Sequence, residues 1–306
     1  MEVNKTMDNA PITVVITTYN DSEYLSTAID SVISQTLLPT QLLIIDDGSE
    51  KNDAYEIVER YIGRESRINI NYFRKMNGGA SSARNLGINK SLCPLITFLD
   101  ADDKMLPNNL RCKFDSIEKL DNSYFGVYGS ATTTEKGKDC FANIDGLATT
   151  IQVGKPIDGI PGGSCSYLFR CKALKEIGGF DENLYNNEDY DLLIRLIKNN
   201  KKCKGIDSCG ISITIRKNSL SRGGDAKKRF DNVMAFIDKA EAEQYFDQEE
   251  IKFRRKSVYL GFMKTIFFKN PIESLNYADI AFDYGAPTGF KQKTIYFLAK
   301  LRKLNK

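Results

Sequence analysis

Residues Leu95–Asp103 have the sequence LITFLDADD, and the elements predicted for the rest of the chain are arranged around them. It begins with apolar and β-branched residues typical of a buried strand, and carboxylates follow at Asp100, Asp102 and Asp103. Carboxylates this close together repel one another unless a cation, an arginine or solvent compensates their charge. Because open α/β sheets bind ligands at the carboxyl ends of their strands, the acids indicate a divalent cation held against a phosphate-bearing ligand. The alternative is an acidic turn in which Asp103 caps the next helix.

Strands and helices alternate around this stretch. Apolar, β-branched runs predict strands at Pro11–Thr18, Leu42–Ile45 and Ile68–Phe73, and helical spacing predicts helices from Ser22 to near Pro39 and over Ala54–Tyr61. A glycine-opened loop at 77–87 leads into a further helix. This alternation predicts an α/β fold with a mostly parallel, Rossmann-like central sheet, covered on both faces by right-handed crossovers.

Polar side chains follow the first, second and fourth predicted strands. They are Thr17, Tyr19, Asp47, Asp100 and Asp102. Each has an ordinary explanation alone, such as a half-buried ring for Tyr19 or a turn for Asp47, but in a parallel sheet they share one edge. There a carboxylate can accept hydrogen bonds from a base or a ribose, a ring can stack on a base, and another carboxylate can hold a metal on a pyrophosphate.

Composition excludes several kinds of chemistry. The 306 residues contain no histidine, which excludes histidine-based acid–base catalysis, Ser–His or Cys–His pairs and histidine-ligated zinc. The net charge of +3 indicates no polyanionic partner such as nucleic acid. Seven scattered cysteines, an odd number, suit free thiols in a reducing compartment. With neither a signal peptide nor a long apolar run visible, we expect a cytoplasmic protein.

Four ordered motifs resemble those of family 2 glycosyltransferases with the GT-A fold, of the bacterial surface-polysaccharide type. They lie at residues 14–20, 44–49, 79–87 and 98–103, and the resemblance covers about residues 10 to 220. It implies a catalytic domain over residues 1–224, with a nucleotide-sugar half at about 10–105 and an acceptor half at about 106–224. Residues 225–306 would form a helical C-terminal extension.

The resemblance also assigns roles to residues of the first half. It implies nucleotide binding by Thr17, Tyr19, Asp47, Arg84, Asp100 and Ala101, and metal binding by Asp102. Thr17 and Tyr19 would line the uracil pocket, Asp47 would bond the base, and Asp100 would meet the ribose. Arg84 would contact ribose or phosphate, unless it is a structural arginine of its helix. The implied cofactor is Mn²⁺ or Mg²⁺.

Residues 178–196 carry the second half of the predicted site. Without the family, Asn187 could cap a helix whose first turn favours Glu188 and Asp189, with Leu192, Leu193 and Leu196 pointing inward. The resemblance implies that Asp189 is the catalytic base and that Glu188 positions the acceptor. Asp191 is predicted to be a solvated helix residue. Gly163 and Ser164 would lie near the acceptor, or form a turn before a strand, with Cys165 as a small buried residue.

One segment departs from the family pattern. Many members have a metal- or pyrophosphate-binding histidine where this chain has Ile215–Ser221. Asn218 or a water could replace it, or Arg216, Lys217 and Arg222 could neutralise the diphosphate directly.

The C-terminal segment is rich in lysine, arginine and aromatic residues. Basic runs at 227–229, 252–256 and 300–306 alternate with apolar residues. This pattern fits peripheral attachment to the inner face of an anionic cytoplasmic membrane. It fits equally a helical subdomain that packs on the catalytic core and keeps a solvated basic face.

Together these patterns predict an inverting, metal-dependent transfer of a sugar from a nucleotide donor, UDP-linked, to a hydroxyl of a glycan or lipid-linked glycan in polysaccharide biosynthesis. The alternative is a non-catalytic nucleotide-sugar-binding or assembly protein that kept the pocket. A Rossmann dehydrogenase is disfavoured because no Gly-x-Gly-x-x-Gly loop follows the first strand, and an NTPase because there is no Gly-Lys-Ser/Thr loop.

Overall fold

A computed structural model describes residues 9–51, 53–135, 138–141, 163–199, 202–214 and 225–304. The chain divides into two compact units, residues 1–216 and residues 217–306. Each unit has an apolar core of its own.

The first unit is built on a mixed nine-stranded sheet. Its strands are β1 (Ala10–Thr18), β2 (Pro39–Asp46), β3 (Asn69–Arg74), β4 (Leu95–Asp100), β5 (Lys104–Met105), β6 (Tyr124–Glu135), β7 (Lys138–Phe141), β8 (Tyr167–Arg170) and β9 (Lys202–Thr214). Their order is β3-β2-β1-β4-β8-β6-β9-β5, and β7 pairs with β6. The strands β1 to β4, β6 and β9 run in one direction, while β5, β7 and β8 run against them. The predicted mostly parallel sheet is confirmed, and its antiparallel members all follow β4.

Helices cover both faces of this sheet. They are α1 (Ser22–Ile33), α2 (Asp53–Ile62), α3 (Gly79–Lys90), α4 (Asn109–Ile117), α5 (Cys171–Glu176) and α6 (Glu188–Lys198). Successive residues of β1 point to opposite faces, so that Val14 and Ile16 belong to one apolar cluster and Val15 to the other. On the second face α3 lies very close to β1, because a Cβ on Gly87 would be 2.5 Å from Cγ1 of Val15.

Two predicted helix boundaries are wrong. The first helix, expected to reach Pro39, ends at Ile33, and Pro39 opens β2. The intervening chain is held to the loop before α4, since Gln35 Nε2 donates to the Leu106 carbonyl at 2.8 Å and its Oε1 accepts from the Leu110 amide at 3.1 Å. The helix after Asp103 begins only at Asn109, so the capping alternative fails. Asp103 is buried, and its Oδ1 accepts a hydrogen bond from the Thr214 amide at 2.9 Å.

The second unit is helical, as predicted. Its helices are α7 (Ala226–Ala242), α8 (Gln248–Ile266), α9 (Pro271–Asp283) and α10 (Gly289–Leu304). The side chains of Asp225, Asp247 and Asn270 cap the first three. Its core contains Leu260, Met263, Ala278 and Ala281, beside a cluster of aromatic rings. Among the described residues of either unit, no helix is both long enough and apolar enough to cross a bilayer.

Candidate functional site

The ends of β1 and β4 are joined at the predicted edge. Thr17 is paired with Asp100 in the parallel ladder, and its Oγ1 donates to Asp100 Oδ1 at 3.2 Å. The amide of Ala101 donates to the Thr17 carbonyl at 3.1 Å. Thr17, Asp100 and Ala101, all predicted to bind the nucleotide, therefore lie side by side.

Tyr19 lies just beyond the end of β1 with 43% of its surface exposed. The following residue, Asn20, has a φ of 58° and holds the loop to the end of β2: its amide donates to Ser49 Oγ at 2.9 Å, and its Oδ1 accepts from the Glu50 amide at 2.8 Å. The exposed ring on an anchored loop is able to stack on a base.

The two acids after β2 differ in their surroundings. Asp46 is a buried turn residue: its Oδ1 accepts from the amide and hydroxyl of Ser49, and its Oδ2 accepts from the Tyr72 hydroxyl at 2.7 Å. Burial and the neighbouring Asp46 raise the pKa of Tyr72 above its ordinary value. Tyr72 is therefore a neutral hydrogen-bond donor that fixes the turn from which Asp47 projects.

Asp47 lies against the start of α3. Its oxygens accept from the amides of Gly78 and Gly79, the latter at 2.7 Å, and from Lys75 Nζ at 2.7 Å. Gly48 permits this approach, because it has a φ of 80° and a Cβ there would lie 2.8 Å from the Asn77 amide nitrogen. Asp47 thus satisfies amides at the N-terminus of α3, and its bond to a base stays a prediction. Lys75, which the sequence analysis missed, is signalled only by its position directly after the third strand.

Arg84 brings the two halves of the site together. From α3 its Nη2 donates to Asp100 Oδ1 at 3.1 Å and its Nη1 donates to Glu188 Oε1 at 3.0 Å. The same Nη1 lies 3.8 Å from Asp189 Oδ1. One guanidinium thus meets carboxylates from the end of β4 and from the first turn of α6.

The surroundings of Arg84 favour its protonated, positively charged form. It is buried, with its guanidinium carbon 5.5 Å from the centre of the Phe180 ring. Its three acidic neighbours hold its pKa above the ordinary value, against the effect of desolvation. For Glu188, burial and the charge of Asp189 raise the pKa, while Arg84 lowers it. Neither Arg84 Nε nor Asp189 Oδ1 has a hydrogen-bond partner among the described residues.

The beginning of α6 corrects two predictions. Asn187 precedes the helix but has a φ of 62°, and its side chain accepts no amide hydrogen bond, so the predicted side-chain cap is absent. Asp191, predicted to be solvated, is fully buried and its Oδ2 accepts from Arg195 Nε at 2.7 Å. Arg195 is held in turn by the Ile177 carbonyl. As predicted, Leu192, Leu193 and Leu196 are buried.

Gly163 lies next to Asp189, the predicted catalytic base. A Cβ at Gly163 would lie 2.8 Å from Asp189 Oδ2, so only glycine leaves that carboxylate where it is. Ser164 is buried in the short 3₁₀ turn Ser164–Ser166 that leads into β8, and Cys165 is buried with its thiol pKa raised by desolvation. The predicted turn before a strand is present. Gly163 also lies beside Asp189, which with Glu188 forms what we call the acid pair.

The oxygen ligands for a metal are few. Asp102 follows Asp100 at the edge of the sheet, whereas Asp103 is turned toward Thr214. No group of three acids, cysteines or histidines suited to a metal exists within the described ranges. Carboxylate oxygens suit Mg²⁺ and Mn²⁺, so the chemistry of Asp102 is compatible with either ion, and its binding of a metal stays a prediction. The segment 215–224, with Arg216, Lys217, Asn218 and Arg222, lies outside the described residues.

Open, mostly parallel sheets of this kind bind ligands at the carboxyl ends of their strands, where Thr17, Asp47 and Asp100 lie. Residues 13–178 match the model of glycosyl transferase family 2, and the chain belongs to that family.

Among its relatives, an uncharacterized glycosyltransferase of Rickettsia felis is 32% identical over 195 residues, which are 61% of this chain and 31% of that protein. The minor teichoic acid biosynthesis protein GgaB of Bacillus subtilis is 29% identical over 231 residues, 74% of this chain and 25% of GgaB. The chain thus spans about a quarter to a third of the length of these relatives.

Among solved structures, the chain is similar to residues 1–349 of TarS from S. aureus. The TM-score is 0.63 with 16% identity over 89% of this chain and 80% of that one. TarS has also been crystallised with UDP-GlcNAc, and that structure matches with a TM-score of 0.61. At this identity the match shows the fold, and it confirms the predicted GT-A type.

Proposed function

We propose that this chain transfers a sugar, with inversion, from a UDP-sugar to a hydroxyl of a glycan or lipid-linked glycan in polysaccharide biosynthesis. The observation that carries the proposal is the meeting of Asp100, Glu188 and Asp189 at Arg84. Donor-binding and base functions come from segments almost ninety residues apart, and one buried cation joins them. The teichoic acid role in the name of GgaB and the UDP-GlcNAc complex of TarS support the choice of donor and product class.

On the donor side, Tyr19 stacks on the uracil, and Thr17, Asp47 and Ala101 line the nucleotide. Asp100 accepts from the ribose with the exposed part of its carboxylate, while Arg84 and Thr17 hold its Oδ1. Carboxylates of the protein orient Arg84. We therefore assign Arg84 the role of positioning Asp100 and the acid pair. Its contact with a phosphate is a secondary role.

On the acceptor side, Asp189 removes the proton from the attacking hydroxyl. In an inverting transfer the new C–O bond forms on the face opposite the bond to the diphosphate, so the base must lie on the side of the sugar away from the diphosphate. The Asp189 side chain is 23% exposed, which leaves part of its carboxylate open to an acceptor hydroxyl. Glu188, fixed by Arg84, positions the acceptor beside Gly163 and Ser164.

A metal fits the same site. Asp102 would hold Mn²⁺ or Mg²⁺, which supplies a Lewis acid for the departing diphosphate. Arg84 is already neutralised by acids of the protein, so it leaves most of the diphosphate charge to other cations.

The decisive experiment incubates the protein with Mn²⁺ and a panel of UDP- and GDP-sugars and measures released nucleotide. We expect release from a UDP-sugar. Asp189→Asn should lower turnover by at least about a hundredfold and leave UDP binding by calorimetry unchanged. Asp115→Asn, the same change at an exposed acid of α4, is the matched control.

Two results would overturn the proposal. UDP-sugar binding without turnover by any donor would indicate the non-catalytic alternative. Binding of GDP-sugars but not UDP-sugars would contradict the assigned donor.

A further inference from the structure

The last helix of the second unit exposes large apolar side chains. On α10, Phe290 is 85% exposed, Phe297 is 61% exposed, and Leu298 is also exposed. Isolated exposed apolar residues are common, but three on one short helix need an explanation.

These side chains share one face of α10. With the helical period, Phe290, Thr294, Phe297 and Leu298 fall at i, i+4, i+7 and i+8. Other positions hold the helix to its own unit: Ile295 packs on the core, the Tyr296 ring lies 5.3 Å from that of Phe282, and Lys300 Nζ bonds Asp279 Oδ1 at 3.0 Å. The exposed face is therefore the one that the unit leaves uncovered.

All the charged residues of α10 are basic. Its sequence contains Lys291, Lys293, Lys300, Arg302 and Lys303 and no acidic residue. Lys291 and Lys293 are exposed and lie on either side of Phe290 on the helix surface. The face thus combines aromatic side chains with flanking cations, which is the composition of helices that lie in a membrane interface.

We propose that this face of α10 binds the surface of an anionic membrane, with Phe290, Phe297 and Leu298 entering the headgroup region and the lysines meeting lipid phosphates. A second copy of the chain is a poorer partner, because pairing two α10 helices would bring their like charges together. A helix with an apolar face and flanking cations lies along one leaflet, in the plane of the interface. The proposal does not depend on the catalytic function.

The test is flotation of the full chain with vesicles of phosphatidylcholine alone, or of phosphatidylcholine and phosphatidylglycerol in equal parts. We expect binding to the anionic vesicles only, weakened by high salt. The double variant F290S/F297S should bind at least about tenfold more weakly, because each aromatic ring buried from water is worth about a tenfold factor. K291E/K293E should lose about as much, since each lysine near an anionic surface contributes about fivefold.

Leu92→Ser, the same kind of change at an exposed residue of the first unit, is the control and should leave flotation unchanged. Circular dichroism and light scattering verify fold and mass. Equal flotation of wild type and F290S/F297S would overturn the proposal, as would equal binding to neutral vesicles. A dimeric wild type that F290S/F297S makes monomeric, without any vesicle binding, would assign the face to a second copy.

Discussion

At the scale of single residues, the site depends on the balance of charge around Arg84. The one buried guanidinium forms ion pairs with Asp100, Glu188 and the neighbouring Asp189. Ionised carboxylates crowded in a partly buried site are costly without a cation. Arg84 therefore lowers the pH at which Glu188 is ionised, and it fixes the geometry of Glu188 and Asp100.

We expect Arg84→Gln to move the acid limb of the pH–rate profile to higher pH. Burial and Asp189 already raise the pKa of Glu188, and Arg84 opposes them; removing the guanidinium removes the opposing effect. Glu188 then binds its proton more tightly, so turnover falls on the acid side and recovers as the pH rises. Profiles of kcat for both proteins provide the measurement.

Arg84→Lys is the control for this prediction, since it keeps the charge and loses one arm of the guanidinium. It should shift the acid limb less than Arg84→Gln does. An acid limb that stays in place in the glutamine variant would show that Arg84 does not control the ionisation of the pair.

Gly163→Ala tests how tightly the predicted base is held. The new methyl would stand 2.8 Å from Asp189 Oδ2, so the carboxylate must move. Displacement of a reacting group by about 1 Å can cost about a hundredfold in rate, and we expect a loss of about ten- to a hundredfold in kcat with UDP affinity kept. Gly63→Ala is the control, because its methyl would make only an ordinary 3.8 Å contact. Equal activity of the two variants would remove Asp189 from the reaction centre.

At the scale of elements, α6 is held by an ion pair within its own length. Asp191 and Arg195 are one turn apart, and their 2.7 Å contact is buried at the aspartate. Asp191→Asn leaves Arg195 near Ile177 without its counter-charge, so we expect the free energy of unfolding to fall by about 3–5 kcal/mol. Urea denaturation measures the change. Asp115→Asn breaks an exposed pair at the same spacing and should change stability by at most about 1 kcal/mol; similar losses in both variants would contradict the argument.

The sequence predicts the repetitive part of this architecture well. Runs such as Leu95–Leu99 are typical of buried strands, and three strand ends then place Thr17, Asp47 and Asp100 on one edge. Contacts between residues far apart in the sequence cannot be predicted from such local patterns. Arg84 reaches Glu188 across 104 positions, and nothing in its helix identifies that partner.

Two local errors have local causes. Asp191 is predicted to face solvent, as acids of amphipathic helices usually do, but Arg195 four residues later gives it a buried partner. Asn187 has the residue type of a cap but a left-handed backbone, and backbone conformation at a single asparagine is not determined by its neighbours in sequence.

At the scale of the molecule, the two units have separate cores and carry the residues of two separate proposed functions. Every residue predicted to bind the nucleotide belongs to residues 1–216, whereas the basic and aromatic α10 belongs to residues 217–306. Leu110 is buried in a core of the first unit and Met263 in that of the second. Damage to one core should therefore weaken one function first.

We expect Met263→Ala to lower the free energy of unfolding of the second unit by about 2–5 kcal/mol, the usual loss when a buried side chain of this size is removed. UDP affinity should stay within about twofold of wild type, because no side chain of the predicted nucleotide site is altered. Scanning calorimetry locates the unfolding transition, and isothermal titration with UDP measures the site. Leu110→Ala gives the converse comparison, since its cavity opens beneath the sheet that carries the site. If Met263→Ala weakened UDP binding as much as Leu110→Ala does, the nucleotide site would depend on both cores, and the functional division between the units would be wrong.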